Sequence, residues 1–165
     1  KYPTVEFRIC DLSTRVEETM CLTALVQAIV VRLRQLREEN LGWRQYPRAL
    51  IEENKWRAMR HGVKGKLIDF GKRAEVEFGY LLDELLVFLD PVLDGLGSRA
   101  EAEYCLKILD GGTSAERQLR VFEESGGDLQ AVVDSVVEET REGVFEGSGT
   151  DDTIEAERPI IGSSE

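Results

Sequence analysis

The stretch PTVEFRICD, residues 3–11, decides the fold prediction because its side chains alternate in character. Every second residue is apolar: Val5, Phe7 and Ile9. Successive side chains of a β-strand point to opposite faces of the sheet. The stretch therefore predicts a strand with one apolar face, and with Glu6 and Arg8 side by side on the other face.

Two interpretations of Glu6 and Arg8 are open at this point. They could form an exposed ion pair, which contributes about 0–1 kcal/mol to stability. Alternatively, their face of the strand lines a cavity. There, the carboxylate of Glu6 could hold Mg²⁺, which prefers oxygen ligands. The guanidinium of Arg8 could clamp a carboxylate or phosphate with two parallel hydrogen bonds.

The composition limits the class of protein. The chain has 165 residues, of which 42% are hydrophobic, and this is enough apolar material for one globular body. Its net charge of -11 argues against a nucleic-acid partner. The three cysteines lie far apart, as expected for reduced thiols in a cytoplasmic protein. The longest nearly apolar run, MCLTALVQAIVV, is too short for a membrane span.

Helical spacing dominates the rest of the sequence. Apolar residues three and four positions apart predict a long helix after the first strand, with Thr14 and Glu17 as a capping box. A second helix is expected from Pro47 to Gly62, followed by an extended segment, GKLIDFG. Further helices are predicted from Phe78, with Pro91 kinking or dividing it, and after the N-cap candidates Ser98 and Asp128.

These elements predict an α+β fold that is predominantly helical. The first strand and KLIDF would contribute to an antiparallel sheet, and several helices would pack against it. Residues 1–142 form the predicted globular part. Residues 143–165 contain six acidic residues and one basic residue and show no helical period, so we expect an acidic, mobile tail.

The stretch IEENKWRAMRHG concentrates cations in an acidic chain. On a helix, Asn54, Arg57 and His61 lie on one stripe, and Arg60 lies a step round from Arg57. The stripe is either a solvated face with Trp56 packed inward or a surface that focuses an anionic ligand.

The stretch GGTSAERQLRVF has two interpretations as well. It fits a capped helix that follows a glycine turn. It could also present backbone N–H groups to an anion, with Arg117, Gln118 or Arg120 nearby. The Gly-Lys-Ser/Thr ending of a P-loop is absent, and no GxSxG, HExxH or GxGxxG motif occurs in the sequence.

Taken in series, PTVEFRICD, the long apolar helix, NKWRAMRHG, KLIDF and GTSAERQLRVF resemble the C-terminal part of the glutamate–cysteine ligase type 2 family. The resemblance covers about residues 1–140 and implies a fold related to that of glutamine synthetase. The family joins a carboxylate, the γ-carboxyl of glutamate, to an amine such as that of cysteine. It does so through an acyl-phosphate made with ATP and Mg²⁺.

The resemblance also implies roles for individual residues. Glu6 would be a Mg²⁺ ligand, and Arg8 and Arg60 would be catalytic. Substrate binding would fall to residues of the second helix and of the Gly-Thr segment: Asn54, Arg57, Arg117 and Gln118.

The family's chains are much longer than this one, which begins without Met. We therefore expect the missing N-terminal portion, or a companion chain, to be a partner. The expected ligands are small amino acids and amines, and self-association is left open. These 165 residues alone are predicted to be inactive as a ligase. The alternative is a non-catalytic helical interaction or regulatory module derived from such an enzyme.

Overall fold

The computed structural model describes residues 4–42 and 45–145, with side chains up to residue 142. Over this part of the chain it has six α-helices, one 3₁₀ turn (Gly62–Lys64) and two strands. In order they are α1 (Val16–Glu38), α2 (Arg48–His61), β1 (Lys66–Asp69), β2 (Ala74–Glu77), α3 (Phe78–Leu96), α4 (Arg99–Gly111), α5 (Ser114–Glu124) and α6 (Leu129–Phe145).

The core lies where α1, α3 and α4 pack together. α1 contributes mainly small side chains to it, and α4 likewise contributes Ala102 and Cys105. Small residues let two helix backbones approach closely, which leaves room for the leucines of α3. Among the described residues, the buried hydrophobic ones are Cys21, Ala24, Leu25, Ala28, Leu82, Leu89, Val92, Leu93, Ala102 and Cys105.

α3 runs unbroken past Pro91, so of the two predicted effects of this proline, a kink or a division of the helix, the division is wrong and the kink stays a prediction. Leu89 lies before the proline, and Val92 and Leu93 lie after it, all at 3% exposure or less. Burial on both sides of Pro91 holds the two halves in one helix, although the proline removes a backbone hydrogen bond.

The sheet is a two-stranded antiparallel hairpin in which Leu67 faces Val76. KLIDF supplies β1, as expected, whereas β2 was not predicted. In the connecting turn, the Asp69 carboxylate accepts hydrogen bonds from the backbone N–H groups of Gly71 and Lys72. These hydrogen bonds lower the pKa of Asp69.

α5 and α6 form a helical hairpin that packs on the first turns of α1. Thr113 and Glu116 form a complete capping box at the start of α5. Asp128 caps α6, as predicted, because its carboxylate accepts a hydrogen bond from the backbone N–H of Gln130 at 2.8 Å.

Three expectations require correction. Residues 4–9 form no strand, and no partner strand lies beside them among the described residues. α1 begins at Val16 with Arg15 as its N-cap, and Thr14 makes no capping box. α6 continues to Phe145, three residues into the predicted tail, and residues 146–165 lie outside the described part of the chain.

The fold is therefore α+β and mostly helical, with a small antiparallel sheet. No helix within residues 4–42 and 45–145 combines the length and the apolar character needed to cross a membrane.

Candidate functional site

Glu6 and Arg8 lie in the segment before α1, and their side chains form an ion pair with each other. Arg8 Nε lies 2.8 Å from Glu6 Oε1, and Arg8 Nη2 donates to Glu6 Oε2 at 2.9 Å. Their side chains are 68% and 81% exposed, respectively. The fork geometry is the one by which arginine recognises a carboxylate or a phosphate, and in this structure its partner is Glu6.

The apolar face of the same segment is uncovered. Val5 is 75% exposed and Ile9 is 66% exposed. The alternation is a feature of the sequence, and no sheet or core among the described residues uses it. Roles for Glu6 and Arg8 stay predictions.

Asn54 lies on α2 and faces the edge of β1. Its side-chain nitrogen donates to the carbonyl oxygen of Ile68 at 2.9 Å, and its side-chain oxygen accepts from the N–H of Ile68 at 2.8 Å. The amide thus replaces a neighbouring strand at that position. Asn54 was predicted to bind substrate; in the structure its side chain holds the hairpin on α2.

Arg57, one turn further along α2, also contacts the hairpin. Its Nε lies 2.8 Å from Glu53 Oε1, and its Nη1 lies 2.8 Å from Glu75 Oε1 on β2. The hydrogen bonds to these two carboxylates raise the pKa of the Arg57 guanidinium. The predicted cationic stripe therefore fastens α2 to both strands.

An open groove of about 470 Å³ lies between the end of α2 and the hairpin. Its volume falls in the range typical of small-molecule sites. Its lining carries three positively charged side chains, one carboxylate, the imidazole of the single histidine and an indole. The lining residues are Trp56, Arg57, His61, Lys64, Gly65, Lys66 and Glu75.

The lysines of the groove are the cations best placed to meet a ligand. Lys64 is 80% exposed and pairs with Glu116 at 3.4 Å; Lys66 is 55% exposed and pairs with Glu77 at 3.2 Å. The Lys66–Glu77 pair is exposed on both sides and is therefore weak, so Lys66 can exchange partners. The ammonium group of Lys64 also lies in water, although its partner Glu116 is only 19% exposed. The groove is chemically suited to a small anion.

His61 ends α2 and lies edge-on to Trp56, with 5.9 Å between the ring centroids. A Cβ on Gly65 would lie only 2.6 Å from the Cβ of His61, so glycine is required at this point. Arg60 is exposed, has no hydrogen-bond or ion-pair partner among the described residues, and does not line the groove. Its predicted catalytic role stays a prediction.

Arg117 and Gln118 lie on α5 but face inward. Arg117 pairs with Glu18 of α1 at 2.7 Å and with Glu139 of α6 at 2.8 Å. Gln118 donates to Ser114 Oγ at 2.9 Å. Arg117 is only 11% exposed, so the predicted contact with substrate would require this buried arrangement to open.

Burial and ion pairing oppose each other in this cluster. Burial disfavours the charge on Arg117, but the ion pairs with Glu18 and Glu139 outweigh it and raise the pKa of the guanidinium. Burial likewise works against the charged form of Glu139, but the hydrogen bonds from Arg117 and Thr14 prevail and lower the pKa of that carboxyl.

The predicted residues do not share one cavity in this structure. Arg57 lines the groove, whereas Glu6, Arg8, Asn54 and Arg60 do not. Within the described ranges no group of three or more His, Cys, Asp or Glu side chains could hold a metal ion. Glu6 offers one carboxylate, so on their own these residues do not fit a complete Mg²⁺ site.

Sequence reasoning missed Lys64 and Lys66, although they continue the basic run that begins at Arg57. A wider window around the stripe would have found them. It also missed the partners of Arg117, and for these the sequence carries no local signal, because Glu139 is 22 residues away and Glu18 is 99 residues away.

Comparison with known proteins shows the family to which the chain belongs. The family model for glutamate–cysteine ligase family 2 matches residues 1–135. The chain therefore belongs to that family, as its motifs predicted. No solved structure gives a significant match, so a fold like that of glutamine synthetase stays a prediction.

Curated relatives agree with this assignment. A protein of Roseiflexus castenholzii is 58% identical over 143 residues, which are 87% of this chain and 38% of the relative. One from Chloroflexus aurantiacus is 57% identical, over 87% of this chain and 36% of the relative. One from Sorangium cellulosum is 47% identical, over 87% of this chain and 38% of the relative. Each carries the provisional name glutamate–cysteine ligase 2. The chain spans less than two fifths of their length.

Proposed function

We propose that this chain is the C-terminal portion of an ATP-dependent ligase that joins the γ-carboxyl group of glutamate to an amine such as that of cysteine. The observation that carries the proposal is family membership over residues 1–135. The relatives found by the comparison carry the provisional name glutamate–cysteine ligase 2. The unmatched portion of such a relative, or a companion chain, would complete the site.

In the proposed reaction, an oxygen of the γ-carboxylate attacks the γ-phosphorus of ATP, and ADP leaves. The amine nitrogen then attacks the carbonyl carbon of the acyl-phosphate. Phosphate leaves and the nitrogen loses a proton. Both steps move negative charge between oxygens, so they need fixed cations more than a nucleophile on the protein.

Arg8 is suited to this task because its present partner is easily replaced. The exposed Glu6–Arg8 pair contributes about 0–1 kcal/mol, so Arg8 can turn its two parallel N–H groups to a carboxylate or phosphate at little cost. Glu6 would then be free to offer one of the oxygen ligands of Mg²⁺. When bound, that ion would neutralise charge on the phosphates.

The groove beside α2 supplies the second part of the proposal. Lys64 and Lys66 lie half or more in water at its edge, and the indole of Trp56 is 52% exposed. We assign to this groove the anionic end of a substrate. Arg57, held by two carboxylates, contributes a fixed positive charge at its wall.

A phosphate-release screen tests the proposed function. A full-length relative, such as the Roseiflexus castenholzii protein, is incubated with ATP, Mg²⁺ and panels of amino acids and amines. The expected result is phosphate release that requires both an amino acid with a side-chain carboxylate and an amine. Release that needs neither co-substrate would contradict the proposal. The 165-residue chain alone is expected to release none.

One observation favours the second candidate, a non-catalytic helical module derived from such an enzyme. Glu6 and Arg8 face water, and the groove does not include them. The two candidates predict different responses to Glu6→Ala in a full-length relative. The ligase loses its activity while the fold survives; the module changes little in function.

A further inference from the structure

Among the described residues of the segment that carries Glu6 and Arg8, Thr14 is the one whose side chain hydrogen-bonds to the helices. The next residue, Arg15, is the N-cap of α1 and adds an ion pair to Glu139 at 3.0 Å. Thr14 Oγ1 lies 2.7 Å from Glu139 Oε2 on α6 and 3.2 Å from Ser114 Oγ on α5. It also accepts a hydrogen bond from Arg117 Nη2 at 3.1 Å. Thr14 precedes the N-cap of α1, so these contacts hold the segment before the helix rather than the helix itself.

Arg117 is the centre of this arrangement, and each of its three nitrogens is used. Nε donates to Glu139 at 2.8 Å, and Nη2 donates to Thr14. Nη1 lies 2.7 Å from Glu18 Oε1 and donates to the carbonyl oxygen of Gly112 at 2.8 Å. A planar guanidinium with all its nitrogens engaged has one orientation, and it transmits that orientation to its partners.

We propose that Thr14, Glu18, Arg117 and Glu139 form a clasp that fixes the direction in which residues 4–13 leave α1. Arg117 and Thr14 are then positioning residues for Glu6 and Arg8. The relevance of the clasp to catalysis rests on the proposed function. Arg8 lies six residues before Thr14, a reach of at most about 20 Å, so the anchoring at Thr14 limits where Arg8 can go.

The cysteines allow a direct test of the clasp. Cys10 is exposed on the segment, whereas Cys21 is fully buried and Cys105 is 6% exposed. A thiol-reactive spin label added to the native 165-residue chain therefore reports on Cys10.

Thr14→Val removes the hydroxyl and keeps the shape, and Thr14→Ser keeps the hydroxyl. In Thr14→Val the rotational correlation time of the label is expected to fall about twofold or more, because the segment then moves as a free terminus on the nanosecond timescale. Thr14→Ser is expected to restore the wild-type spectrum. Arg117→Gln should mobilise the label as Thr14→Val does.

Arg120→Gln is the matched control. Arg120 lies on the same helix but is exposed and donates only to the carbonyl oxygen of Gly111 among the described residues. Its loss should leave the label unchanged. If Arg117→Gln does not fold, the comparison of Thr14→Val with Thr14→Ser tests the clasp. An unchanged label in folded Thr14→Val would overturn the clasp.

The catalytic arm uses a full-length relative that has ligase activity. The substitution aligned with Thr14→Val should lower kcat about tenfold or more, with a smaller change in KM, because a displaced catalytic group loses its alignment. The Ser variant should keep the wild-type kcat. A mobile label with unchanged kcat overturns the positioning role. Absence of ligase activity in the relative overturns the proposed function instead and leaves the label result standing.

Discussion

Two arginine–glutamate contacts in this chain have nearly the same N···O distance and opposite surroundings. Arg8 and Glu6 lie 2.8 Å apart, with side chains 81% and 68% exposed. Arg117 and Glu18 lie 2.7 Å apart, with side chains 11% and 6% exposed. Water screens the first pair and leaves both partners replaceable. The second pair is shielded, and neither charge can be left alone without a large cost.

This difference in exposure distinguishes an arginine that can contact a substrate from one that stabilises the fold. Arginine residues in family motifs invite a catalytic interpretation, but of Arg8 and Arg117 only Arg8 has its donors in a place that a substrate can reach at low cost. Arg117 uses its nitrogens inside the protein. Exposure and the number of partners therefore say more about the role of each arginine than the motif does.

Arg117→Met should have the largest effect on stability. It leaves the carboxylates of Glu18 and Glu139 without their shared cation, and removal of one partner of a buried ion pair costs about 3 kcal/mol or more. Urea unfolding followed by circular dichroism would measure this loss. An unfolding midpoint close to that of the wild type would break the comparison, because the shielded pair would then behave like the exposed one.

Asn54→Leu extends the comparison to a neutral contact and should rank second. It leaves both the N–H and the carbonyl group of Ile68 without their partner, at a cost of about 1–3 kcal/mol. The same unfolding experiment applies. Lys55→Met, at the adjacent position, removes only a surface pair with Glu52 and serves as the control. Equal losses in the two variants would show that Asn54 does not hold the hairpin.

A fall in pH should weaken the clasp, because it protonates the carboxylate of Glu139. Its folded pKa is lowered, so the carboxylate stabilises the fold above the ordinary glutamate pKa. That contribution is lost as the pH falls through the folded pKa. From about pH 6 to about pH 3, the unfolding free energy of the wild type should fall more than that of Glu139→Gln. Parallel curves would contradict the assigned ion pair.

Arg8→Met should have the smallest effect on stability, within about 1 kcal/mol of the wild type. Among the described residues, the charge it removes is paired with Glu6, and the side chain of Arg8 is 81% exposed to water. Urea unfolding of the 165-residue chain measures the change. A loss as large as that of Arg117→Met would mean that the exposed segment is part of the stable fold.

Local sequence patterns predicted the helices well, because helical periodicity and capping depend on residues three or four positions apart. The helix from Pro47 to Gly62 and the cap at Asp128 are examples. Strand formation depends on distant partners, and the alternation in residues 4–9 found none among the described residues. Thr14 fits a capping box locally, but its hydroxyl contacts Ser114 and Glu139, 100 and 125 residues away.

The candidate site was predictable only in part. The stripe of Asn54, Arg57 and His61 predicted a cationic surface, and the groove lies at its end, where Arg57 and His61 are joined by Lys64 and Lys66, which were not predicted. Whether the guanidinium of Arg57 binds carboxylates of the protein itself depends on where Glu53 and Glu75 lie. One of these is a neighbour on the helix, but the other lies across a hairpin whose second strand was not predicted.

Ligase activity of Glu6→Ala most directly tests the claim that the exposed pair is functional and the buried one structural. The substitution is made at the aligned position of a full-length relative. Glu38→Ala, which removes the similarly exposed Arg34–Glu38 pair, is the control. We predict that Glu6→Ala lowers kcat about 100-fold or more without shifting the unfolding midpoint, while the control keeps full activity. Full activity in a folded Glu6→Ala protein would contradict the account.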